Sequence, residues 1–179
     1  MYKKLQNSQL GRITPEQFKK SDKAPVILIL DNIRSQHNIG AAFRTSDAFA
    51  IEKIYLCGIC AVPPSAEIRK AALGAEESVE WEYRADTRNL VDELKKEGII
   101  PLAVEQTENS LLLSRFTPQK GAKYALIFGN EVKGVDQDVV DICSGTIEIP
   151  QYGTKHSLNV SVAVGVVLWD ILSKIGRIV

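Results

Sequence analysis

The last quarter of the chain, Thr146 to Leu172, constrains the fold more than any other stretch. It opens with a short β-like run, Thr146 to Ile149, which ends at Pro150, and a loop around Gly153 follows. The run from Leu158 to Leu172 is then apolar on every side. A surface helix shows one apolar stripe, whereas a helix that is apolar all round must be buried on all sides. We therefore expect a helix enclosed by the protein or by an interface between two copies.

The hydrophilic groups of this helix are concentrated at its start. They are Lys155, His156, Ser157, Asn159 and Ser161. The free backbone N–H groups and the positive end of the helix dipole point the same way, so this end can bind a ligand. The apolar run is short for a membrane span, and Asp170 interrupts it. It predicts a buried helix with a binding site at its N-terminus.

Length and composition favour one globular domain. The chain has 179 residues, of which 45% are hydrophobic and 25% charged. No stretch is typical of a signal peptide or a membrane span, so we expect a cytoplasmic protein. Residues 1–24 hold six basic and two acidic residues, whereas the whole chain has zero net charge. We predict a basic N-terminal helix or arm over 1–24, which either contacts RNA phosphates or is simply solvated, and one domain over 25–179.

Strands alternate with helices along the chain. The continuous apolar run Val26–Leu30 is typical of a central parallel strand. Further strands are predicted at Ile54–Cys57, Val79–Tyr83, Ile99–Val104, Tyr124–Phe128 and Thr146–Ile149. Helices are predicted after the N-cap Asn38 and over Ser65–Leu73, Thr87–Lys96 and Val135–Cys143, with Glu105–Gly121 irregular. The alternation predicts an α/β fold with an open, largely parallel sheet, whose ligands bind at the carboxyl ends of the strands.

The C-x-x-C pair, Cys57 and Cys60, could in principle be a redox pair or part of a zinc site, and the sequence argues against both. A redox pair needs a following helix, and Pro63 and Pro64 stand there instead. A zinc site needs two more ligands nearby, and the sequence offers none. We predict structural cysteines.

The glycine-rich stretch after the fifth strand is a candidate ligand loop. Gly129 and Gly134 have the G-x-x-x-x-G spacing of a phosphate loop, but Val135-Asp136 stands where Lys and Ser or Thr are needed. The dinucleotide fingerprint G-x-G-x-x-G is absent from the sequence. Two interpretations stay open: a turn that lets backbone approach a ligand and presents Glu131, or an ordinary strand-to-helix turn.

Arg44 is a positively charged residue of the helix predicted after Asn38, and it is a candidate for a binding or catalytic role. Its neighbours Ala42 and Phe43 favour burial, so Arg44 either runs along the surface or reaches into a cleft. Asn38 and Gly40 just before it favour the cleft. His37 and His156 lie in polar loops, where RNA contact or solvation fits better than metal ligation.

Three motifs together closely resemble those of the SpoU/TrmH class of SPOUT RNA methyltransferases. N-x-G-x-x-x-R-T spans Asn38–Thr45, and F-G-N-E-x-x-G spans Phe128–Gly134. I-P-x-x-G-x-x-x-S-L-N-V-S-V-A spans Ile149–Ala163, with Gln151 where the family often has methionine. The resemblance extends from about Val26 to Leu172.

The resemblance implies a SPOUT-type fold with a C-terminal trefoil knot, a rare exception to the rule against knots. It also implies a homodimer whose active site is shared across the interface, and no metal. The implied cofactor is S-adenosylmethionine, contacted largely by backbone. Its implied neighbours are Val104, Glu105, Gly129, Ile149, Ser157 and Leu158.

The reaction that the resemblance implies is methyl transfer to a ribose 2′-hydroxyl of tRNA or rRNA. Arg44 is then the base, or it clamps a phosphate that accepts the proton, since a guanidinium has a pKa above about 12. The groups that orient the reactants are Asn38, Glu131, Ser157 and Asn159. One alternative is a catalytically silent RNA-binding dimer, which the joint presence of these residues disfavours. Another is a small-molecule methyltransferase, which the basic arm disfavours.

Overall fold

Seven parallel strands form the centre of the molecule in the computed structural model, which describes residues 1–178. The strands are β1 (Ala24–Asp31), β2 (Ile51–Cys57), β3 (Trp81–Arg84), β4 (Ile100–Val104), β5 (Leu111–Leu112), β6 (Tyr124–Phe128) and β7 (Gly145–Glu148). Their order in the sheet is β3-β2-β1-β6-β4-β7-β5, and each neighbouring pair is parallel. This confirms the predicted α/β fold. The knot of the C-terminal segment stays a prediction.

Helices cover both faces of the sheet. They are α1 (Pro15–Lys20), α2 (Gln36–Ala48), α3 (Ala66–Ala72), α4 (Ala75–Ser78), α5 (Thr87–Lys96), α6 (Gln137–Val140) and α7 (Val160–Lys174). Successive side chains of β1 point to opposite faces: Val26, Leu28 and Leu30 pack with α2 and α7, and Ile27 and Ile29 pack with α5 and α6. Burial on both faces explains why β1 has a continuous apolar sequence.

An edge strand and a short helix differ from the predictions because their sequence signals are weak. Residues 105–121 were expected to be irregular, but the two-residue strand β5 pairs with β7 at the sheet edge. A strand this short has no periodic pattern to detect. The helix predicted over Val135–Cys143 is the single turn α6, because the chain enters β7 at Gly145.

The N-cap of helix α2 lies three residues before the predicted cap. Its N-cap is Ser35, whose side chain accepts a hydrogen bond from the Asn38 backbone N–H at 3.2 Å. The prediction that Asn38 caps this helix is therefore wrong. Serine is as good an N-cap as asparagine, so residue type does not decide which of the two caps the helix. The path of the backbone between β1 and α2 decides it. The Asn38 side chain is thereby free for tertiary contacts.

The closing helix α7 is buried on one side only within the chain. Val164, Val167, Leu168, Ile171 and Leu172 are fully buried in the core. Its opposite face exposes Val162 (51%), Val166 (39%) and Trp169 (57%). Enclosure on all sides by one chain is therefore wrong, and burial in an interface between two copies stays a prediction.

The cysteines of the C-x-x-C pair are free and buried. Burial raises the pKa of Cys57 to about 12 and that of Cys60 to about 11, so both are thiols at neutral pH. No helix among residues 1–178 combines the length and apolar character that crossing a membrane requires.

Candidate active site

A cleft of about 440 Å³ opens where β4, β6 and β7 end and α7 begins. Two loops form most of it: the second loop (129–136, after β6) and the third loop (149–159, after β7). The first loop (32–35, after β1) lies against the second. All six residues predicted to contact a cofactor line the cleft, namely Val104, Glu105, Gly129, Ile149, Ser157 and Leu158. A site at the carboxyl ends of parallel strands is the place expected for this class of sheet.

The second loop is a tight turn that needs its glycines. Asn130 and Gly134 exchange two backbone hydrogen bonds, of 3.0 and 2.8 Å. A Cβ on Gly129 would lie 2.1 Å from the Gly134 carbonyl carbon and from the Val135 nitrogen. Gly134 has φ +72°, which side-chain-bearing residues rarely adopt, and its own Cβ would lie 2.1 Å from Glu105 Oε2. The turn is therefore held closely against β4.

Glu105 fixes this turn from the neighbouring strand. Its Oε2 accepts a hydrogen bond from the Val135 N–H at 3.0 Å, and its Oε1 accepts one from the Gln106 N–H at 2.9 Å. Both oxygens are thus occupied by backbone donors at the cleft wall. Glu105 shapes the cleft even before any ligand contact is considered.

Glu131 joins the second loop to the first. Its carboxylate accepts hydrogen bonds from the backbone N–H groups of Arg34 (3.2 Å) and Ser35 (3.1 Å) and from Asn38 Nδ2 (3.2 Å). Partial burial raises the pKa of Glu131, but these donors outweigh burial and lower its pKa below the ordinary value. A carboxylate that is ionised and already accepts three hydrogen bonds is a poor proton acceptor. Its geometry suits orienting the first loop and Asn38.

Asn159 connects the third loop to the same network. Its Nδ2 donates to Asn38 Oδ1 at 3.1 Å. Its Oδ1 caps α7 by accepting from the Ser161 N–H at 2.9 Å and the Ser161 hydroxyl at 2.7 Å. Asn38, Glu131 and Asn159 therefore form one chain of hydrogen bonds that brings the three motifs together. Ser157 lines the adjacent cleft and is exposed.

Arg44 is set apart from this network within one chain. It is exposed on α2 and is not among the residues that line the cleft. Six residues separate it from Asn38, about 1.7 helical turns, so the two side chains leave different faces of α2. The first motif is therefore divided: Asn38 is buried behind the cleft wall and bonded to Glu131 and Asn159, whereas Arg44 lies away from both.

Two further residues line the cleft that lie outside the three motifs and were not predicted: Gln106 and Glu148. Gln106 Nε2 donates to the His156 carbonyl at 3.1 Å and so ties the third loop to the end of β4. Both lie at, or within two residues of, the carboxyl end of a strand. That position is the signal by which they could have been found. Within the described part of the chain, no group of three or more His, Cys, Asp and Glu side chains could hold a metal ion.

The model of the SpoU rRNA Methylase family matches residues 25–169, a stretch that contains all three loops. The chain belongs to this family. Two curated relatives are 23S rRNA (guanosine-2′-O-)-methyltransferases RlmB, from Neisseria meningitidis serogroup B (33% identical over 144 residues) and Coxiella burnetii (32% over 156 residues). The matches cover 80% and 86% of this chain but 56% and 60% of those relatives. The chain thus spans less than two thirds of their length.

Solved structures of the family share the fold. The crystal structure of the A. aeolicus TrmH/SpoU tRNA modifying enzyme has a TM-score of 0.80 at 25% identity, covering 91% of this chain and 83% of that one. The AdoMet-bound rRNA methyltransferase from Sinorhizobium meliloti has a TM-score of 0.78 at 24% identity, covering 90% and 61%. The parallel sheet and its helices are therefore the SpoU/TrmH fold that the motifs predicted.

Proposed function

We propose that the protein methylates a ribose 2′-hydroxyl in tRNA or rRNA with S-adenosylmethionine as the methyl donor. The observation that carries the proposal is that the second and third motifs line one cleft, and that hydrogen bonds join Asn38 of the first motif to Glu131 and Asn159 in its wall. The printed names of the two curated relatives, both 23S rRNA guanosine-2′-O-methyltransferases, support the reaction. A cytoplasmic location, where these RNAs are found, is part of the proposal.

The cleft suits S-adenosylmethionine in size and in lining. Its volume of about 440 Å³ falls within the range of about 300–1,000 Å³ that is usual for small-molecule sites. Gly129 leaves no space for a side chain, so backbone forms that wall. The wall opposite is the third loop, where Ile149, Ser157 and Leu158 would hold the cofactor together with Val104 and Glu105. When bound, the cofactor supplies a methyl group on a positively charged sulfonium.

The residues of the chain would position the two reactants and help to remove the proton of the 2′-hydroxyl. The 2′-hydroxyl is a weak nucleophile while protonated, so its proton must leave during the transfer. Glu131 is poorly suited to accept it, because its pKa is lowered and its oxygens already accept three hydrogen bonds. Arg44 would hold the adjacent phosphate, which then takes the proton, or would take the proton itself after first giving one up to solvent. Ser157 would orient the nucleotide, while Asn38 and Asn159 would hold the loops in place, and such alignment can supply much of the rate.

A homodimer completes the proposal, because one chain alone does not bring Arg44 to its own cleft. The exposed face of α7 continues into an apolar groove lined by Phe49, Pro150, Val166 and Trp169. Phe49 packs against Trp169 with ring centroids 6.3 Å apart. Exposed apolar surface of this kind marks an interaction site, and a two-fold interface would bury the same face of both copies. In that dimer a second copy would supply the Arg44 that the cleft lacks.

The test is transfer of a labelled methyl group from S-adenosylmethionine to bulk RNA from cells that lack the protein. The wild type should transfer the label, and Arg44→Ala should fold, bind the cofactor and lose transfer by about a hundredfold or more. Arg88→Ala is the matched control, since Arg88 is exposed on α5 across the sheet, and it should stay active. Wild-type turnover in Arg44→Ala would remove Arg44 from the mechanism.

The alternative, a catalytically silent RNA-binding dimer, makes a different prediction in the same samples. A calorimetric titration of the wild type with S-adenosylmethionine should show saturable binding if the protein is an enzyme. No heat of binding together with no label transfer would favour the silent dimer. Mapping 2′-O-methyl groups in cellular RNA with and without the protein would then identify the nucleotide that is modified.

A further inference from the structure

The first loop, Asn32 to Ser35, is held on its cleft side by two side chains of the second loop. Asn130 Nδ2 donates to the Asn32 carbonyl oxygen at 2.8 Å. Glu131 accepts hydrogen bonds from the backbone N–H groups of Arg34 and Ser35. These contacts connect the first loop to the cleft directly.

The opposite side of the first loop is held by residues that follow β2. The Cys60 sulfur accepts a hydrogen bond from the Ile33 N–H at 3.1 Å, and its thiol donates to the Leu30 carbonyl at 3.2 Å. Asn32 Oδ1 accepts from the Ile59 N–H at 3.1 Å. Neither Cys60 nor Asn32 lines the cleft.

Asn32 also sets the direction in which the first loop leaves β1. Its φ of +57° is a left-handed conformation, which asparagine adopts more easily than most residues. Its Nδ2 donates to Asp31 Oδ1 at 3.1 Å, which holds the side chain while its oxygen reaches Ile59. Each successive residue from 32 to 35 thus has one backbone group bonded to a side chain: the Asn32 carbonyl accepts, and the N–H groups of residues 33–35 donate.

The physical reason for this arrangement is that the first loop lies outside any strand or helix ladder. Backbone polar groups that lose water without gaining a partner are costly, so side chains must take the place of a neighbouring strand. The Cys60 side chain suits the task because burial raises its pKa to about 11. At neutral pH it keeps its proton, and with it one weak donor and one weak acceptor.

We infer that Asn32 and Cys60 are positioning residues for the proposed methyl transfer, acting from behind the cleft. They hold the first loop where the Arg34 and Ser35 amides meet Glu131, and Glu131 in turn fixes Asn38. The inference rests on the proposed function, because it assigns these residues a part in the same reaction. It also gives the C-x-x-C pair a divided role, in which Cys60 supports the site and Cys57 only fills the core.

The experiment compares Cys60→Ala with Cys57→Ala, two truncations of neighbouring buried thiols. Both should lower the melting temperature, since both sulfurs are buried. Only Cys60→Ala should reduce kcat for methyl transfer to bulk RNA, by about ten- to a hundredfold, because small displacements of reacting groups are costly. The KM for S-adenosylmethionine should stay within about twofold of the wild type, since the cofactor residues belong to other loops.

Two further variants separate positioning from simple loss of stability. Cys60→Ser keeps a donor and an acceptor and should recover most of kcat. Asn32→Gly keeps the left-handed backbone and the carbonyl acceptor but loses the three side-chain hydrogen bonds to Asp31, Asp136 and Ile59. It should lower kcat like Cys60→Ala. In a Glu131→Gln background, Cys60→Ala should add little further loss, because both changes act on the same contact.

The outcomes distinguish this inference from the proposed function. No label transfer by the wild type would overturn both. An active wild type in which Cys60→Ala and Cys57→Ala lose kcat equally would overturn only the inference. Failure of Cys60→Ser to recover activity, or full additivity of Cys60→Ala with Glu131→Gln, would overturn it as well.

Discussion

Alanine in place of Gly129 should open the second loop and damage both stability and cofactor binding. The added Cβ would lie 2.1 Å from the Gly134 carbonyl carbon and the Val135 nitrogen, where ordinary contact begins above 3.4 Å. Both obstacles are backbone, so the turn must move by more than 1 Å as a unit. The movement would break the two hydrogen bonds between Asn130 and Gly134 and the one from Val135 to Glu105.

The magnitude follows from these three contacts. At about 1 kcal/mol each, their loss should reduce the free energy of unfolding by about 3 kcal/mol. For a domain of this size about 1 kcal/mol shifts the melting temperature by roughly 2–4 °C, so the expected fall is about 6–12 °C. Because Gly129 forms one wall of the cleft, affinity for S-adenosylmethionine should fall by about tenfold or more.

Gly153→Ala is the matched control, since Gly153 lies in the third loop with open space around its would-be Cβ. Its effect on the free energy of unfolding should stay within about 0.5 kcal/mol, as for most surface substitutions. Thermal denaturation and calorimetric titration of both variants give the comparison. If Gly129→Ala melts within about 2 °C of the wild type and binds the cofactor equally well, the reasoning from the close backbone approach is refuted.

Two other predictions concern charge and assembly. The pKa of Glu131 is lowered in the folded state, so its contribution to stability is present above its ordinary pKa of 4.5 and is lost as pH falls through the folded value. The stability difference between wild type and Glu131→Gln should therefore shrink in acid denaturation series below about pH 4.5, and a constant difference would contradict the assignment. Trp169→Glu places a charge on the apolar face of α7 and should yield monomers in analytical ultracentrifugation. Asn89→Glu, at an exposed polar position of α5 on the other face of the sheet, should leave assembly unchanged. An unchanged assembly state in Trp169→Glu would exclude this face as the interface.

Much of the architecture was predictable because its signals are local. Strand β6 and helix α5 have the predicted bounds, since a continuous apolar run and an amphipathic ten-residue pattern are strong signals of their type. The N-cap of α2 and the edge strand β5 were not predictable in this way. Several polar residues before α2 could serve as a cap, and a two-residue strand exists only through its partner β7.

Helix α7 shows a limit of periodicity. Its apolar residues surround the whole helix in sequence, but only the face with Val164 and Leu168 enters the core. A side chain destined for an interface between copies has the same polarity as one destined for the core. The pattern therefore indicates burial without saying which surface provides it.

The amino-acid sequence by itself determined the parallel α/β class, the glycine turn of the second loop and the membership of Asn38, Glu131 and Asn159 in three motifs. Only the tertiary structure decided which of these side chains meet. Glu131 contacts Asn38 across 93 positions of the chain, and Asn159 contacts Asn38 across 121. Those contacts exist because β6 lies between β1 and β4 in the sheet, which brings the loops that follow β1, β6 and β7 to one edge. Helix geometry, by contrast, separates Arg44 from Asn38 although they share one motif, since side chains six residues apart leave different faces of a helix.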